Sequence, residues 1–292
     1  MTRGAALSVV LLLGADVVCA QQPEAQGPEP AAPAATPHKS GLPFLAGEAL
    51  ARGYELPLPF GAGLILTGLK DREIDVSDVR LGVDGNQQSV SDYATLGSNS
   101  NVFNANFRFD TWLLPFLNVY ALVGYVHNES DTDIRVTLPR PGIFPGTIEK
   151  TTQVQTSLDG YVGGLGMTLA AGYKSLFVVA DYSYVRSDMG FDDAFTASIA
   201  SLRAGWQGKA WGRSFQVWAG VGNWDTAATA AGHTTLDDGR ILQFEADQHP
   251  NTKWIYDLGT NVMLSKRWQL IFDLGADFDG GYTLVLGPTY RF

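Results

Sequence analysis

The chain has 292 residues with a formal net charge of −10, and it contains 33 glycines, 7 tryptophans and 11 tyrosines with only 17% charged residues. Such an acidic chain has no electrostatic reason to bind nucleic acid, and beyond residue 20 no run of 18 or more apolar residues predicts a spanning helix. The only cysteine, Cys19, lies in the N-terminal segment, so we expect neither disulfides nor cysteine catalysis in the mature chain.

The N-terminal segment has the pattern of a cleaved secretory signal peptide, which we assign to residues 1–20. Arg3 supplies a positive charge, an apolar stretch follows, and Val18 and Ala20 form a small-residue cleavage site before Gln21. Residues 21–40 are rich in proline, alanine and glutamine and contain no aromatic residue. They cannot bury enough apolar surface to offset the entropy of ordering, so we predict a disordered periplasmic tail.

Residues 41–292 show period-two alternation in segments of about ten residues, which indicates β-strands. In 103–110, for example, Phe103, Phe107 and Phe109 share one face, and Asn104 and Asp110 share the other. The pattern predicts ten strands, near residues 60–69, 100–111, 117–128, 156–171, 175–186, 195–207, 213–224, 251–264, 267–279 and 281–292. Residues 74–84 and 239–247 also alternate, and they would extend strands beyond the membrane or raise the count to twelve.

Three features favour an all-β, antiparallel, up-and-down transmembrane barrel over a soluble sandwich. Tight connections near 172–175 and 265–267 alternate with long polar stretches at 127–155 and 225–250, as short periplasmic turns alternate with longer external loops. Aromatic residues cluster at strand ends, where interfacial girdles lie. The chain also stops at a strand-terminal aromatic, so we take Tyr290 and Phe292 as an insertion signal for the barrel-insertion machinery. Together these features predict a cell outer-membrane location after export.

Eight charged residues of the predicted strands fall on the glycine, asparagine and threonine face, as expected because a charge at mid-membrane on the lipid face costs roughly 2–4 kcal/mol. We therefore predict a charged network in the lumen, formed by Arg108, Asp110, Asp181, Arg203, Asp257, Asp273, Asp277 and Arg291. The predicted membrane-interface aromatics are Trp112, Trp206, Trp211, Trp224, Trp254, Trp268 and Tyr290.

The block Thr111–Tyr120, with the sequence TWLLPFLNVY, and the ending Tyr290-Arg291-Phe292 resemble motifs of a group of uncharacterised proteobacterial outer-membrane β-barrel proteins. The likeness covers residues 55–292. It implies the fold and the location and carries no activity. From the residues alone, the Trp-Leu-Leu-Pro-Phe stretch is a periplasmic turn whose apolar side chains anchor in the interface.

A barrel of about ten strands lies near the size at which side chains fill the lumen. We therefore expect a monomer with a closed or narrow lumen and a structural or surface-interaction role among outer-membrane lipids and lipopolysaccharide. One alternative is a narrow cation-preferring channel lined by Asp181, Asp257, Asp273 and Asp277.

A second alternative is a hydrolase of lipid or peptide sited at the outer rim. It would use His127 with Glu129 or Asp131, but no Gly-x-Ser-x-Gly motif surrounds them. No histidine spacing fits a metal triad. We expect neither a metal nor a cofactor, and we assign no catalytic residues.

Overall fold

The structure is a computed structural model that describes residues 41–51, 56–83, 86–89, 94–139, 147–190, 194–226, 228–235 and 241–292. The predicted signal peptide and tail lie outside these residues. A short helix, α1 (Ala46–Ala51), precedes thirteen strands. They are β1 (Phe60–Val83), β2 (Asn86–Ser89), β3 (Ala94–Leu114), β4 (Leu117–Pro139), β5 (Thr147–Tyr173), β6 (Leu176–Asp188), β7 (Phe195–Ala210), β8 (Arg213–Asp225), β9 (Ala228–Thr235), β10 (Ile241–Pro250), β11 (Trp254–Met263), β12 (Trp268–Ala276) and β13 (Tyr282–Arg291). No helix in the described ranges is long and apolar enough to cross a membrane.

Ten of the strands form a closed antiparallel barrel. Each of β1, β3, β4, β5, β6, β7, β8, β11, β12 and β13 pairs with its neighbour in this series. β13 then pairs back onto β1, from Gly61↔Arg291 to Lys70↔Tyr282. The predicted all-β, up-and-down barrel of ten strands is confirmed. Twelve is not the count, because residues 74–83 continue β1 and residues 241–250 form a strand outside the ring.

The two ends of the barrel differ. At one end, which we call the short-turn end, β3–β4, β5–β6, β7–β8 and β11–β12 are joined by tight turns, and Phe60 meets Phe292. At the other, which we call the extended end, β1, β3, β4 and β5 run to 21–27 residues. β10 pairs there with the outer half of β1, where β13 has already ended, and β9 pairs with β10. The added hairpin thus covers a strand edge that would otherwise be open.

The prediction of long polar loops at 127–155 and 225–250 is wrong. β4 and β5 stay paired from Leu117↔Leu169 to Pro139↔Thr147, and residues 228–235 and 241–250 form β9 and β10. In 127–133, polar residues stand on both faces of the hairpin beyond the apolar part of the barrel, so the composition resembles that of a loop. The backbone groups nevertheless pair across the ladder, and this satisfies them as fully as water would.

Alternation along each strand separates an apolar, exposed exterior from a buried interior. In β6 every second residue is buried without exception, so that Leu176, Val178 and Tyr182 point outward while Phe177 and Asp181 point inward. Large apolar side chains on the outer face are exposed on β5 and β11 as well, for instance Leu165 (69%) and Leu258 (66%). Monomeric proteins in water rarely expose so much contiguous apolar surface.

Candidate functional site

The interior of the barrel is the candidate site, because all eight predicted lumen charges point into it. Each is at most 8% exposed. They lie on β3, β6, β7, β11, β12 and β13, or directly after β12, on the inward face of the alternation: Arg108, Asp110, Asp181, Arg203, Asp257, Asp273, Asp277 and Arg291.

One network joins β13 to β3 and β4 near the short-turn end. Arg291 Nη2 lies 2.8 Å from Asp110 Oδ1, and both side chains are 1% exposed. Asn118 Nδ2 donates to the same oxygen at 2.7 Å and accepts from Arg108 at 3.3 Å. Charge-assisted bonds of this kind are stronger than neutral ones, so the network holds the three strands together across the lumen.

The network continues toward the middle of the barrel through an aromatic ring. The Arg108 guanidinium lies 3.7 Å from the centroid of the Tyr120 ring, within cation–π range. The Tyr120 hydroxyl donates to Asp181 at 2.8 Å, and Thr168 donates to the other oxygen of that carboxylate at 2.5 Å. Arg291 and Asp181 therefore belong to one chain of contacts across the interior.

A second network lies on the opposite wall. Arg203 Nε donates to Asp257 Oδ1 at 3.0 Å and lies 3.9 Å from Asp273 Oδ2. The indole N–H of Trp218 lies 3.1 Å from Asp257 and 2.9 Å from Asp273. One guanidinium and one indole thus hold two carboxylates together. The sequence analysis missed Trp218. It shares the inward face of β8 with Gln216 and Gly222, and this alternation would have placed it in the lumen.

Asp277 stands apart from both networks. Its Oδ1 accepts the backbone N–H groups of Asp279 and Gly281 and so shapes the turn between β12 and β13. Close to this turn is Arg72, a buried cation that the sequence analysis also missed. Arg72 donates to the carbonyl of Thr252 at 3.1 Å and lies 5.9 Å from the Trp224 ring centroid.

Apolar side chains form two buried clusters beside the charges. Toward the extended end a cluster of buried residues includes Leu69, Ile74, Val126, Val185 and Phe195. A smaller cluster includes Trp112, Phe177 and Ile271. These clusters occupy part of the interior, beside inward polar residues such as Ser100, Asn104 and Asn128.

Two of the predicted interface aromatics, Trp112 and Trp224, are wrongly assigned because they point inward. Trp112 is fully buried and Trp224 is 6% exposed. Residues separated by an even number of positions on a strand face the same side. Trp112 therefore shares the side of Asp110 on β3, and Trp224 shares the side of Trp218 on β8. Both positions therefore face the lumen, although each lies at a strand end.

The other predicted aromatics stand on the outer face or at a turn. Trp206, Trp254 and Trp268 are 43–50% exposed and Trp211 is 98% exposed. At the C-terminus, the Tyr290 ring packs 5.2 Å from that of Trp268, and Phe292 stacks on Phe60 at 5.9 Å. These contacts place Tyr290 and Phe292 where the barrel closes.

His127 lies on the outer face of β4, at the point where that face changes from apolar to charged. Its Nδ1 is 2.7 Å from Asp159 Oδ1 on β5, and its Nε2 is 3.4 Å from Glu129. Tyr125 donates its hydroxyl to the same Asp159 oxygen. The strand register, with His127 directly opposite Asp159, makes this aspartate the principal partner rather than Asp131.

The hydrogen bond from His127 to Asp159 raises the pKa of the imidazole above its ordinary value, and the contact with Glu129 adds to this. The pKa of Asp159 is lowered, first by the bond from Tyr125 and then by that from His127. The cluster therefore favours a charged imidazolium between two carboxylates. Within the described residues, no group of three acidic, histidine or cysteine side chains is placed to hold a metal ion.

No protein-family model and no curated protein matches the chain. Solved structures that it is similar to include the outer membrane protein OprG from Pseudomonas aeruginosa, at 11% identity over 81% of this chain and 98% of that one, with a TM-score of 0.39. The transport unit of the autotransporter AIDA-I from Escherichia coli is 12% identical over 80% and 90%, with a TM-score of 0.39. The toluene transporter TbuX from Ralstonia pickettii is 12% identical over 81% and 90%, with a TM-score of 0.32. Likenesses at this level do not indicate what this chain binds or does.

Proposed function

We propose that this chain is an outer-membrane β-barrel whose lumen is closed, and that it acts through its outer surface rather than by passing solutes. The short-turn end would face the periplasm and the extended end the outside. Two separate arguments support this: the exterior suits a membrane, and the carboxylates of the interior already have partners.

The exterior argument rests on the outward face of β4. Leu117, Val119, Ala121, Val123 and Tyr125 occupy successive outward positions, and from His127 to Thr137 the outward residues are polar or charged. This apolar stretch spans nine residues, and a tilted membrane-spanning strand needs about 9–11. Closure of β13 onto β1 leaves no open edge at this depth, as a sheet in hydrocarbon requires.

The interior argument carries the proposed function. The lumen aspartates that would line a cation pathway already have partners, since Asp181 accepts from Tyr120 and Asp257 lies against Arg203. A carboxylate already bound by a guanidinium or a hydroxyl is less available to coordinate a passing cation. These pairings disfavour the narrow-channel alternative.

The rim-hydrolase alternative is disfavoured by the surroundings of His127. Both of its nitrogens face carboxylates, Asp159 and Glu129, so neither is directed at a serine nucleophile. Its position on the outer rim fits a surface contact better than acyl transfer.

Liposome swelling tests the closed lumen. Protein refolded into liposomes, with folding verified by altered mobility on unheated SDS gels, should swell in iso-osmotic arabinose no faster than empty liposomes. Swelling that scales with the amount of folded protein would show an open lumen and contradict the proposal.

A further inference from the structure

Strand β5 has an open edge at the extended end. β6 pairs with β5 only from Tyr161 to Tyr173, whereas β4 stays paired with it as far as Thr147. Among the strands that the structure describes, none pairs with the β6 side of β5 between Thr147 and Gly160. At about 3.3 Å per residue this edge is roughly 45 Å long, which is enough for a whole further strand.

The backbone groups that face this edge belong to the odd-numbered residues. The Ala170 N–H donates to the carbonyl of Phe116 at 2.9 Å, on the β4 side, and the pairing of β5 with β4 shows no bulge. Since alternate residues of a strand bond to opposite neighbours, even-numbered residues bond to β4. The N–H and C=O groups of Gln153, Gln155 and Ser157 therefore point to the open edge, and their side chains are exposed on the outer face.

The sequence of this edge lacks the usual protection against pairing. Natural proteins blunt an exposed edge with proline, bulges or several lysines. Residues 147–160, with the sequence TIEKTTQVQTSLDG, contain no proline and a single lysine, and their ladder with β4 is regular. Their threonines also favour the extended conformation. Such an edge can accept an extended segment through main-chain hydrogen bonds, as in β-augmentation.

A row of carboxylates lies one strand inside the edge. Glu129, Asp131 and Asp133 are exposed on the outer face of β4, and Arg135 ends the row. Their partners on β5 are uncharged, with Gln155 directly opposite Asp131. A strand added beyond β5 would lie about 10 Å from this row, two strand spacings away, and long basic side chains on its outer face can lean toward the carboxylates. Charge complementarity therefore favours a basic strand and disfavours an acidic one.

A second copy of this chain does not fit the edge. Two identical strand edges can pair only in antiparallel orientation, because the same edge carries the same donors and acceptors. The strands of the barrel run from one end to the other, so this pairing would point two barrels in opposite directions across the membrane. The occupant is therefore a segment of another protein.

We propose that the open edge of β5, from Thr147 to Gly160, binds an extended basic segment of another protein as an added antiparallel strand. The main chain of that segment pairs with Gln153, Gln155 and Ser157, and its lysine or arginine side chains lie toward the carboxylates of β4. This inference rests on the proposed surface role, with the extended end outside, but it does not depend on a closed lumen.

Fluorescence anisotropy with labelled peptides and the folded barrel in neutral detergent tests this edge. The probe is acetyl-Val-Lys-Thr-Lys-Val-Lys-Thr-amide. Its glutamate counterpart should bind about tenfold more weakly at low salt, because three exposed charge pairs are lost, and salt should reduce the difference. In the bound strand the lysine N–H groups face β5. N-methylation of the lysines should therefore abolish binding, and N-methylation of the other residues, at the same charge, should preserve it.

Gln153→Pro removes an edge donor without removing a bond to β4, a position at which an edge strand tolerates proline. It should weaken binding about tenfold or more. Gln153→Ala, which keeps the N–H, is the matched control and should bind like the wild type. Asp131→Asn should weaken binding of the lysine peptide about two- to threefold, as expected for one exposed charge pair.

Equal binding by the wild type and Gln153→Pro, or equal loss from both kinds of N-methylation, would overturn the added strand. Equal binding of the lysine and glutamate peptides would overturn the basic partner. A wild-type dimer in sedimentation that Gln153→Pro abolishes would replace the partner with a second copy. An unheated SDS gel verifies that each variant is folded, and liposome swelling measures the lumen alone, so failure of this proposal is distinguished from failure of the closed lumen.

Discussion

Replacing Arg203 by methionine should destabilise the folded barrel by about 3–5 kcal/mol, the usual cost of removing one partner of a buried ion pair. Arg203 Nε lies 3.0 Å from Asp257, and both side chains are at most 7% exposed. At that distance and an effective dielectric constant of about 20, the attraction is about 5 kcal/mol before the desolvation of either group is subtracted. Most of the loss would come from the carboxylates left in the interior without their cation.

A double-mutant cycle separates this pair from general damage to the packing. Arg203→Met, Asp257→Asn and the double variant should show a coupling energy of about 2–3 kcal/mol. The folded fraction should be followed in urea by the unheated gel band, since tryptophan fluorescence would report Trp218, which itself contacts Asp257. Arg135→Met, at an exposed position of the extended end, should change stability by less than about 0.5 kcal/mol. Coupling below about 0.5 kcal/mol would refute the pairing.

Two further predictions concern a glycine and the rim histidine. Gly166→Ala should cost about 1–3 kcal/mol of unfolding free energy in the same assay, because the added Cβ would overlap the ring of Tyr120. Gly163→Ala should be near neutral, since its Cβ would meet no atom within 4 Å. Equal costs for the two variants would contradict this packing. The His127 ring should titrate in NMR with a midpoint above the ordinary value of about 6.5, and Asp159→Asn should lower that midpoint. Because the pKa of His127 is raised in the folded state, the stabilisation by the pair is present at lower pH and is lost as pH rises through that midpoint. A midpoint that Asp159→Asn leaves unchanged would be incompatible with the contact.

Alternation carries most of the information about the fold. The period of two predicts that Asp181 and Arg203 lie on inward faces, and both side chains are buried there. The same parity places Trp112 and Trp224 inside. Their assignment to the interface is wrong because it relies on their location at strand ends and not on the alternation that sets which face each residue occupies. A side chain's face follows from its position along the pleat, so parity is the stronger guide.

Other features could not be read from the sequence because they depend on register. His127 meets Asp159 only because β4 and β5 pair with these residues opposite, 32 positions apart. A shift of one residue would have turned either side chain to the other face. The pairing of β10 with β1 is likewise long-range, so the polar residues of 241–250 gave no sign of their partner.

Single-channel recording in a planar bilayer tests the closed lumen most directly. Folded, purified protein should give a silent trace in potassium chloride at either polarity, with or without calcium. The reason is that Arg203, Tyr120 and Arg291 donate hydrogen bonds to the lumen carboxylates. Discrete conductance steps with cation preference, altered by Asp257→Asn, would contradict the account and make the aspartates a conduction pathway.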